Sequence, residues 1–225
     1  MSVETTVPGE VALTVLLAVR DEAPDWLERT LQSLLCQSHP GWELCLCDNG
    51  SEDPQTRRLL ERYRGRDPRI KLLQLGTPLA ASQAVNAAVE FATGLCVAFI
   101  AAGDALDLDA VAVLAAALEQ HPEAALFYSD EDCIGPDGRH AAPYLKPDWS
   151  PEHLLSTMYL GRLLVLRKAR FLELGGLEVA AGAAADYDLA LRATASLAAS
   201  GAAAPVHLRQ VRYHRRAARP PVQSP

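Results

Sequence analysis

The sequence has no CxxC pair, and its five cysteines (Cys36, Cys45, Cys47, Cys96, Cys133) are odd in number. That spacing indicates neither a zinc ribbon nor a disulfide framework and fits a reducing, cytosolic compartment. The GxxxxGK[ST] phosphate loop, the GxGxxG dinucleotide turn, the GxSxG nucleophile elbow and the HExxH zinc helix are all missing. The usual NTPase, dehydrogenase, hydrolase and zinc-protease readings therefore lose their main support. Long apolar runs are missing too: the longest, Ala110 to Leu118, is too short to cross a bilayer. Met1 to Glu10 has no Lys or Arg and no apolar stretch of signal-peptide length. Positive charge is scarce in the body of the chain, where residues 1–204 hold 16 Lys plus Arg against 28 acids, a net of −12. An acidic body argues against a nucleic-acid partner, which needs a basic face.

What is present is a chain of 225 residues, 49% hydrophobic and 22% charged, within the range of a folded globular domain. Val11 to Val19 is a near-continuous aliphatic run, the pattern of a strand buried on both faces. Asp25 is placed to cap a helix running to about Cys36, with Leu27, Leu31, Leu34 and Leu35 on one face. Further strands are expected at Trp42–Cys47, Ile70–Leu75, Leu95–Ile100 and Ala124–Tyr128, with helices between them at about Pro54–Arg64, from Ala81, and at Leu108–Glu119. Such alternation implies an α/β fold: a Rossmann-like, mainly parallel sheet with helices on both faces, binding ligands beyond the carboxyl ends of its strands. After residue 133 the alternation stops. Gly135-Pro136-Asp137-Gly138 reads as a turn, and Leu160–Leu166 and Val206–Tyr213 read as later strands. The expected organisation is a ligand-binding half over 1–133, an appended α+β half over 134–219, and a frayed end over 220–225.

Acidic residues gather at three expected strand ends. Asp48, followed by Asn49, Gly50 and Ser51, either accepts from a ligand N–H or caps the following helix. Asp104 follows the fourth strand, and Asp130, Glu131 and Asp132 follow the fifth. Converging carboxylates suit a hard divalent cation that neutralises phosphates, although each alone also suits a turn or cap. Asp186 begins a helical segment that runs to Thr194, where an Asp ordinarily caps unless the helix start faces the site. The six histidines, His39, His121, His140, His153, His207 and His214, are scattered and read as surface or capping residues.

Taken in order, LTVLLAVRDE (Leu13–Glu22), SLLCQ (Ser33–Gln37), the segment from Trp42-Glu43-Leu44 to Asp48-Asn49-Gly50-Ser51, Asn86, YSDED (Tyr128–Asp132), KPDWSP (Lys146–Pro151), Gly175-Gly176, DYDLALR (Asp186–Arg192) and Tyr213-His214-Arg215 resemble family 2 glycosyltransferases. The resemblance covers about residues 11–215. It implies a GT-A fold and transfer of a sugar from a nucleoside diphosphate sugar to an acceptor hydroxyl, usually with inversion and with Mg²⁺ or Mn²⁺. The SDED, KPDWSP and DYDLxLR set is most similar to transferases of bacterial O-antigen and other surface polysaccharides, whose acceptor is a glycan or a lipid-linked glycan. By position, the resemblance makes Asp48 and Asn49, with Arg20 and Asp21, the nucleotide-binding residues. It makes Asp186 the catalytic base, Asp104 the metal ligand, and Asp130, Glu131, Asp132 and Trp149 the border of donor sugar and acceptor.

The departures lie at Ala101-Ala102-Gly103-Asp104, where the family usually has Asp-x-Asp-Asp, at Ala18, Arg20 and Asp21 near the base site, and at Ala185 before Asp186. They motivate the alternative of a degenerate transferase-like domain that binds a nucleotide or a protein partner without catalysis. A third reading makes the chain one module of a longer system, its basic end (Arg209, Arg212, Arg215, Arg216, Arg219) touching anionic lipid head groups at the membrane; a solvated tail is the plainer account.

Overall fold

The computed structural model describes residues 11–135 and 137–217. The expectations for Met1–Glu10, for Pro136 in its turn, for Arg219 and for the end over 220–225 fall outside the described residues. Among the described residues no helix is long and apolar enough to cross a membrane.

Strand β1 (Leu13–Val19) sits between two parallel neighbours, β2 (Trp42–Asp48) and β4 (Cys96–Phe99), with β3 (Ile70–Gln74) parallel to β2 at the sheet edge. A strand flanked by hydrogen-bonded neighbours and helices meets no water, so β1 tolerates a near-continuous aliphatic sequence. Helix α1 (Pro24–Leu35) turns Leu27, Leu31 and Leu34 onto the sheet. Its N-cap is Ala23, without a side-chain bond, so Asp25 lies in the first turn and does not cap. Helix α2 (Pro54–Arg64) is capped by Asp53, whose carboxylate accepts from the N–H groups of Gln55 and Thr56. That removes the capping role considered for Asp48. The small residues Ala84 and Ala88 of α3 (Ala81–Val89) let it lie close over β1 and β2.

The chain then departs from simple alternation. After the two-residue strand β5 (Ala105–Leu106) and α4 (Ala110–Gln120) comes β6, which spans Leu126–Ile134. It extends well past the expected end at Tyr128, so Asp130, Glu131 and Asp132 lie inside a strand and not beyond one. Nor does β6 lie beside β4: β8 (Leu164–Arg167) inserts antiparallel between them. The strand β9 (Val206–Arg216) pairs parallel with β6 and antiparallel with β5, and β7 (His140–Tyr144) forms an outer antiparallel hairpin with β6. Six strands (β1, β2, β3, β4, β6 and β9) point one way, in one sheet ordered β3-β2-β1-β4-β8-β6-β9-β5.

Short helices α5 (Pro151–Ser156) and α6 (Lys168–Glu173), a 3₁₀ turn over Val179–Ala184, and α7 (Ala185–Ser200) complete the chain. One apolar core joins α1, α2 and α4 to the sheet; the other joins α3, α5, α6 and α7. Asn86 ties α3 to the segment before the 3₁₀ turn, its side-chain amide donating to Leu177 O and accepting from Leu177 N, each at 2.9 Å.

Three thiols lie in these cores. Burial raises Cys45 to about 12, Cys47 to about 11 and Cys96 to about 12. The unfolded chain ionises them from about pH 9, so their stabilising contribution is complete below pH 9 and is lost between pH 9 and about pH 12. Denaturation midpoints are expected to fall across that window. Cys96→Ala should make the fall shallower by about one proton, or ~1.4 kcal/mol per pH unit at most. An unchanged slope in that variant would contradict the linkage.

Candidate functional site

The ends of β1 and β2 converge on Ser51. The Asp48 side chain is buried, and its Oδ1 accepts from Ser51 N at 2.8 Å; Oδ2 receives no hydrogen bond from the described residues. Gly50, at φ +73°, passes so close to the Pro78 ring that a Cβ would sit 3.1 Å from it. Asn49 holds the same loop, donating to Leu79 O at 2.9 Å and accepting from Leu79 N at 2.8 Å. Asp21 takes the left-handed conformation (φ +52°), and its Oδ1 accepts from Glu52 N (2.7 Å) and Asp53 N (2.8 Å). The structure thus brings Asp21, Asp48 and Asn49 together, with Asp21 and Asn49 shaping loops and Asp48 retaining a free oxygen. Arg20 beside them is exposed.

A second group forms where β4, β8 and α7 meet. Asp186 lies in the first turn of α7 but does not cap it. Its Oδ2 accepts from the Arg162 guanidinium, and the pair lines a small depression with Phe99, Gly161 and Leu164. About a third of each side chain is exposed. The start of a sixteen-residue helix and a guanidinium therefore both meet at this carboxylate. Arg162 is fixed in turn: Nη1 donates to Phe99 O at 3.3 Å, and its backbone N–H donates to Glu131 Oε2 at 2.6 Å.

Beneath it Lys146 is fully enclosed, donating to Leu160 O (2.7 Å) and Arg162 O and pairing with Glu131 Oε2 at 3.1 Å. Burial brings its ammonium down to about 8, against the pull of Glu131. Gly161 (φ +49°) is required here, since a Cβ would stand 2.5 Å from Glu131 Oε2.

The other two acids of β6 are also engaged. Asp130 Oδ1 accepts from Lys146 N (2.8 Å) and meets His207 Nε2 (2.8 Å); His207 stacks on Tyr128 with ring centroids 4.6 Å apart and meets Asp148 through Nδ1. Asp132 meets His140 Nδ1 at 2.9 Å and His214 Nδ1 at 2.6 Å. Three histidines read as surface or capping residues therefore sit against acids, a pairing that depends on strand register and is invisible in the local sequence. Trp149 is half-buried against the core that joins α3, α5, α6 and α7. Asp132, His140 and His214, on three different strands, place their ligand atoms within 4.8 Å of one another, a group able to hold a metal ion. Two imidazoles and one carboxylate suit a transition ion better than Mg²⁺.

Asp104 has different surroundings. Its Oδ2 accepts from the Tyr213 hydroxyl (2.7 Å) and its Oδ1 from Arg216 N (2.7 Å). Burial and the neighbouring carboxylate push the Tyr213 phenol well above its ordinary value, so the hydroxyl stays a donor. Neighbouring Gly103, at φ +96°, faces the Arg216 side chain: a Cβ there would lie 2.7 Å from Arg216 Cδ and 3.2 Å from Nε and Nη1. A hard divalent cation wants several oxygen ligands. At this position there is one carboxylate, already accepting twice, beside a guanidinium. The residues at Ala101–Asp104 do not fit Mg²⁺ or Mn²⁺.

Sequence reasoning missed Arg162, Lys146, Tyr213 and Arg216 as site residues. Lys146 and Tyr213 lie inside motifs that were legible, but their partners lie far away along the chain. Among the arginines of the basic end, Arg209 pairs with Asp148, Arg212 with Asp107 and Arg215 with Glu131, so these three are tied to acids of the body.

The sheet order, with an antiparallel strand inserted beside β4 and the site at the carboxyl edge, defines a GT-A glycosyltransferase fold. The same fold is seen in Staphylococcus aureus TarS in complex with UDP-GlcNAc, which matches with a TM-score of 0.74 at 19% identity over 92% of this chain and 59% of that one. The glycosyl transferase family 2 pattern matches residues 14–162, and the chain belongs to that family. Relatives include the uncharacterized protein y4gI of Sinorhizobium fredii, 34% identical over 80% of this chain. Another is the O-antigen biosynthesis protein RfbC of Myxococcus xanthus, 32% identical over 91% of this chain. The chain spans 20% and 16% of the lengths of these two relatives.

Proposed function

We propose that this domain transfers a sugar from a nucleoside diphosphate sugar to an acceptor hydroxyl, with inversion, in the assembly of a bacterial surface polysaccharide. The observation that carries the reading is Asp186: a carboxylate in the first turn of α7 that leaves the cap unmade and instead faces a depression, held by Arg162. In that role Asp186 takes the acceptor proton as the hydroxyl oxygen attacks the anomeric carbon. Asp48 accepts from the nucleotide base through its free oxygen, with Asn49, Asp21 and Arg20 shaping the same pocket. Glu131 acts from behind by holding the Arg162 backbone, while Asp130 and Asp132 of β6 and Trp149 of the following segment build the wall on the acceptor side. The acceptor is a glycan, free or lipid-linked. The name of RfbC supports the polysaccharide context, and the nucleotide sugar bound in TarS supports the donor class. A metal, where one takes part, is better served by Asp132, His140 and His214 than by Asp104.

The test is calorimetric titration of the protein with UDP, GDP and dTDP, followed by donor hydrolysis assays with the nucleotide that binds. Binding of one nucleotide, weakened about 10- to 100-fold by Asp48→Ala through loss of a charge-assisted bond of about 1.5–3 kcal/mol, is the expected result. Absence of binding to all three would overturn the reading, and binding without hydrolysis or transfer would favour the degenerate domain.

A further inference from the structure

The geometry points to Arg216 as the cation that holds the donor diphosphate in place of a divalent metal, an inference that rests on the transferase reading above. The loop after β4 is pinned at the carboxyl edge, with Thr30 Oγ1 accepting from Gly103 N at 2.8 Å and donating to Asp104 O at 2.6 Å. The volume that a side chain at 103 would fill belongs to Arg216, whose Cδ, Nε and Nη1 crowd the glycine. The Arg216 backbone N–H is anchored on Asp104 Oδ1, and its guanidinium lies over the Trp26 ring, 5.4 Å from the centroid. Arg162, Arg209, Arg212 and Arg215 each pair with an acid, but Arg216 forms no ion pair with a carboxylate among the described residues. It is exposed and oriented by packing against Trp26.

A guanidinium presents a planar fork that matches phosphate oxygens bidentately and needs no carboxylate ligands of its own. The loss of acids at Ala101 and Gly103 is then part of the same change, because an aspartate at 103 would collide with Arg216 and neutralise it. In the transfer step, the acceptor oxygen forms its bond to the anomeric carbon. The bond from that carbon to the diphosphate oxygen breaks, and its electron pair leaves with the nucleoside diphosphate. The acceptor proton passes to Asp186, and Arg216 balances the charge that builds on the diphosphate.

The experiment compares each nucleoside with its diphosphate (uridine and UDP, guanosine and GDP, thymidine and dTDP) by calorimetry, in EDTA and in Mn²⁺, for the wild type, Arg216→Gln and Arg216→Lys. Expected are diphosphate binding in EDTA equal within about twofold to that in Mn²⁺, a loss of about 10-fold or more in Arg216→Gln with nucleoside affinity unchanged, and partial recovery in Arg216→Lys. Arg216→Gln keeps the backbone bond to Asp104, and matching melting curves exclude a folding defect. Diphosphate binding that requires Mn²⁺, or that ignores Arg216→Gln, would overturn the proposal while leaving the transferase reading intact. No binding by any nucleotide would remove both.

Discussion

Asp186→Asn is expected to lower transfer by about 10³-fold while leaving nucleotide affinity within about twofold of the wild type. Asparagine keeps the shape of the side chain, and its carbonyl oxygen still accepts from Arg162, so the depression with Phe99, Gly161 and Leu164 retains its form. What it loses is the ability to take a proton. A thousandfold loss corresponds to about 4 kcal/mol of transition-state stabilisation, within the range of positioned general bases. Because the substitution is isosteric and a third of the side chain faces solvent, the fold should be little affected. The measurement is kcat with saturating donor, together with the dissociation constant of the nucleotide. Turnover within threefold of the wild type would remove Asp186 from the reaction. A parallel loss of nucleotide binding would assign it to the donor pocket instead.

The first half of this fold was legible because it is made of local patterns. A near-continuous aliphatic run, a Pro at a helix start and an i, i+4, i+7 stripe each need only their own window, and β1, α1, β2, α2 and β3 appear within two residues of their expected bounds. The second half depends on partners far along the chain. Acids inside a strand look like its end, because carboxylates avoid burial unless paired; here Lys146, His207, His140 and His214 provide the pairs, so β6 continues through Asp130–Asp132. Insertion of β8 between β4 and β6 leaves no local trace, since orientation in a sheet is set by connections and not by composition. β5, two residues long, is defined only by its pairing with Tyr213 and His214. The same limit governs the site. Asp48 and Asp186 sit at ends of regular elements and are legible as candidates, whereas Arg162 and Arg216 become candidates only through what distant parts of the chain place opposite them.

Lys146→Met should lower stability markedly, and the reason lies in what it leaves behind. Methionine fills much of the lysine volume, so the cavity term is small. The loss falls on Glu131, 6% exposed at its side chain, and on the carbonyls of Leu160 and Arg162, which lose their donor. Removing one member of a buried pair costs about 3–5 kcal/mol, chiefly because the other charge stays behind without water. Glu131 retains the Arg162 backbone N–H at 2.6 Å and Arg215 at 3.2 Å, which favours the lower end of that range. The double variant Lys146→Met with Glu131→Gln removes the stranded charge and is expected to recover most of the loss, giving a strongly non-additive cycle. The pH dependence separates this account from simple mispacking. Lys146 ionises near 8 in the fold against about 10.5 in the unfolded chain, so between those values the unfolded state holds the extra proton and the Lys146 contribution grows with pH. The gap between wild type and Lys146→Met should therefore widen from pH 8 to 10, opposite in sign to the thiol effect, which both proteins share. A constant gap in urea melts across that range would place Lys146 among merely space-filling residues, and with it would go the argument that Glu131 and Lys146 together fix the Arg162 backbone beneath Asp186.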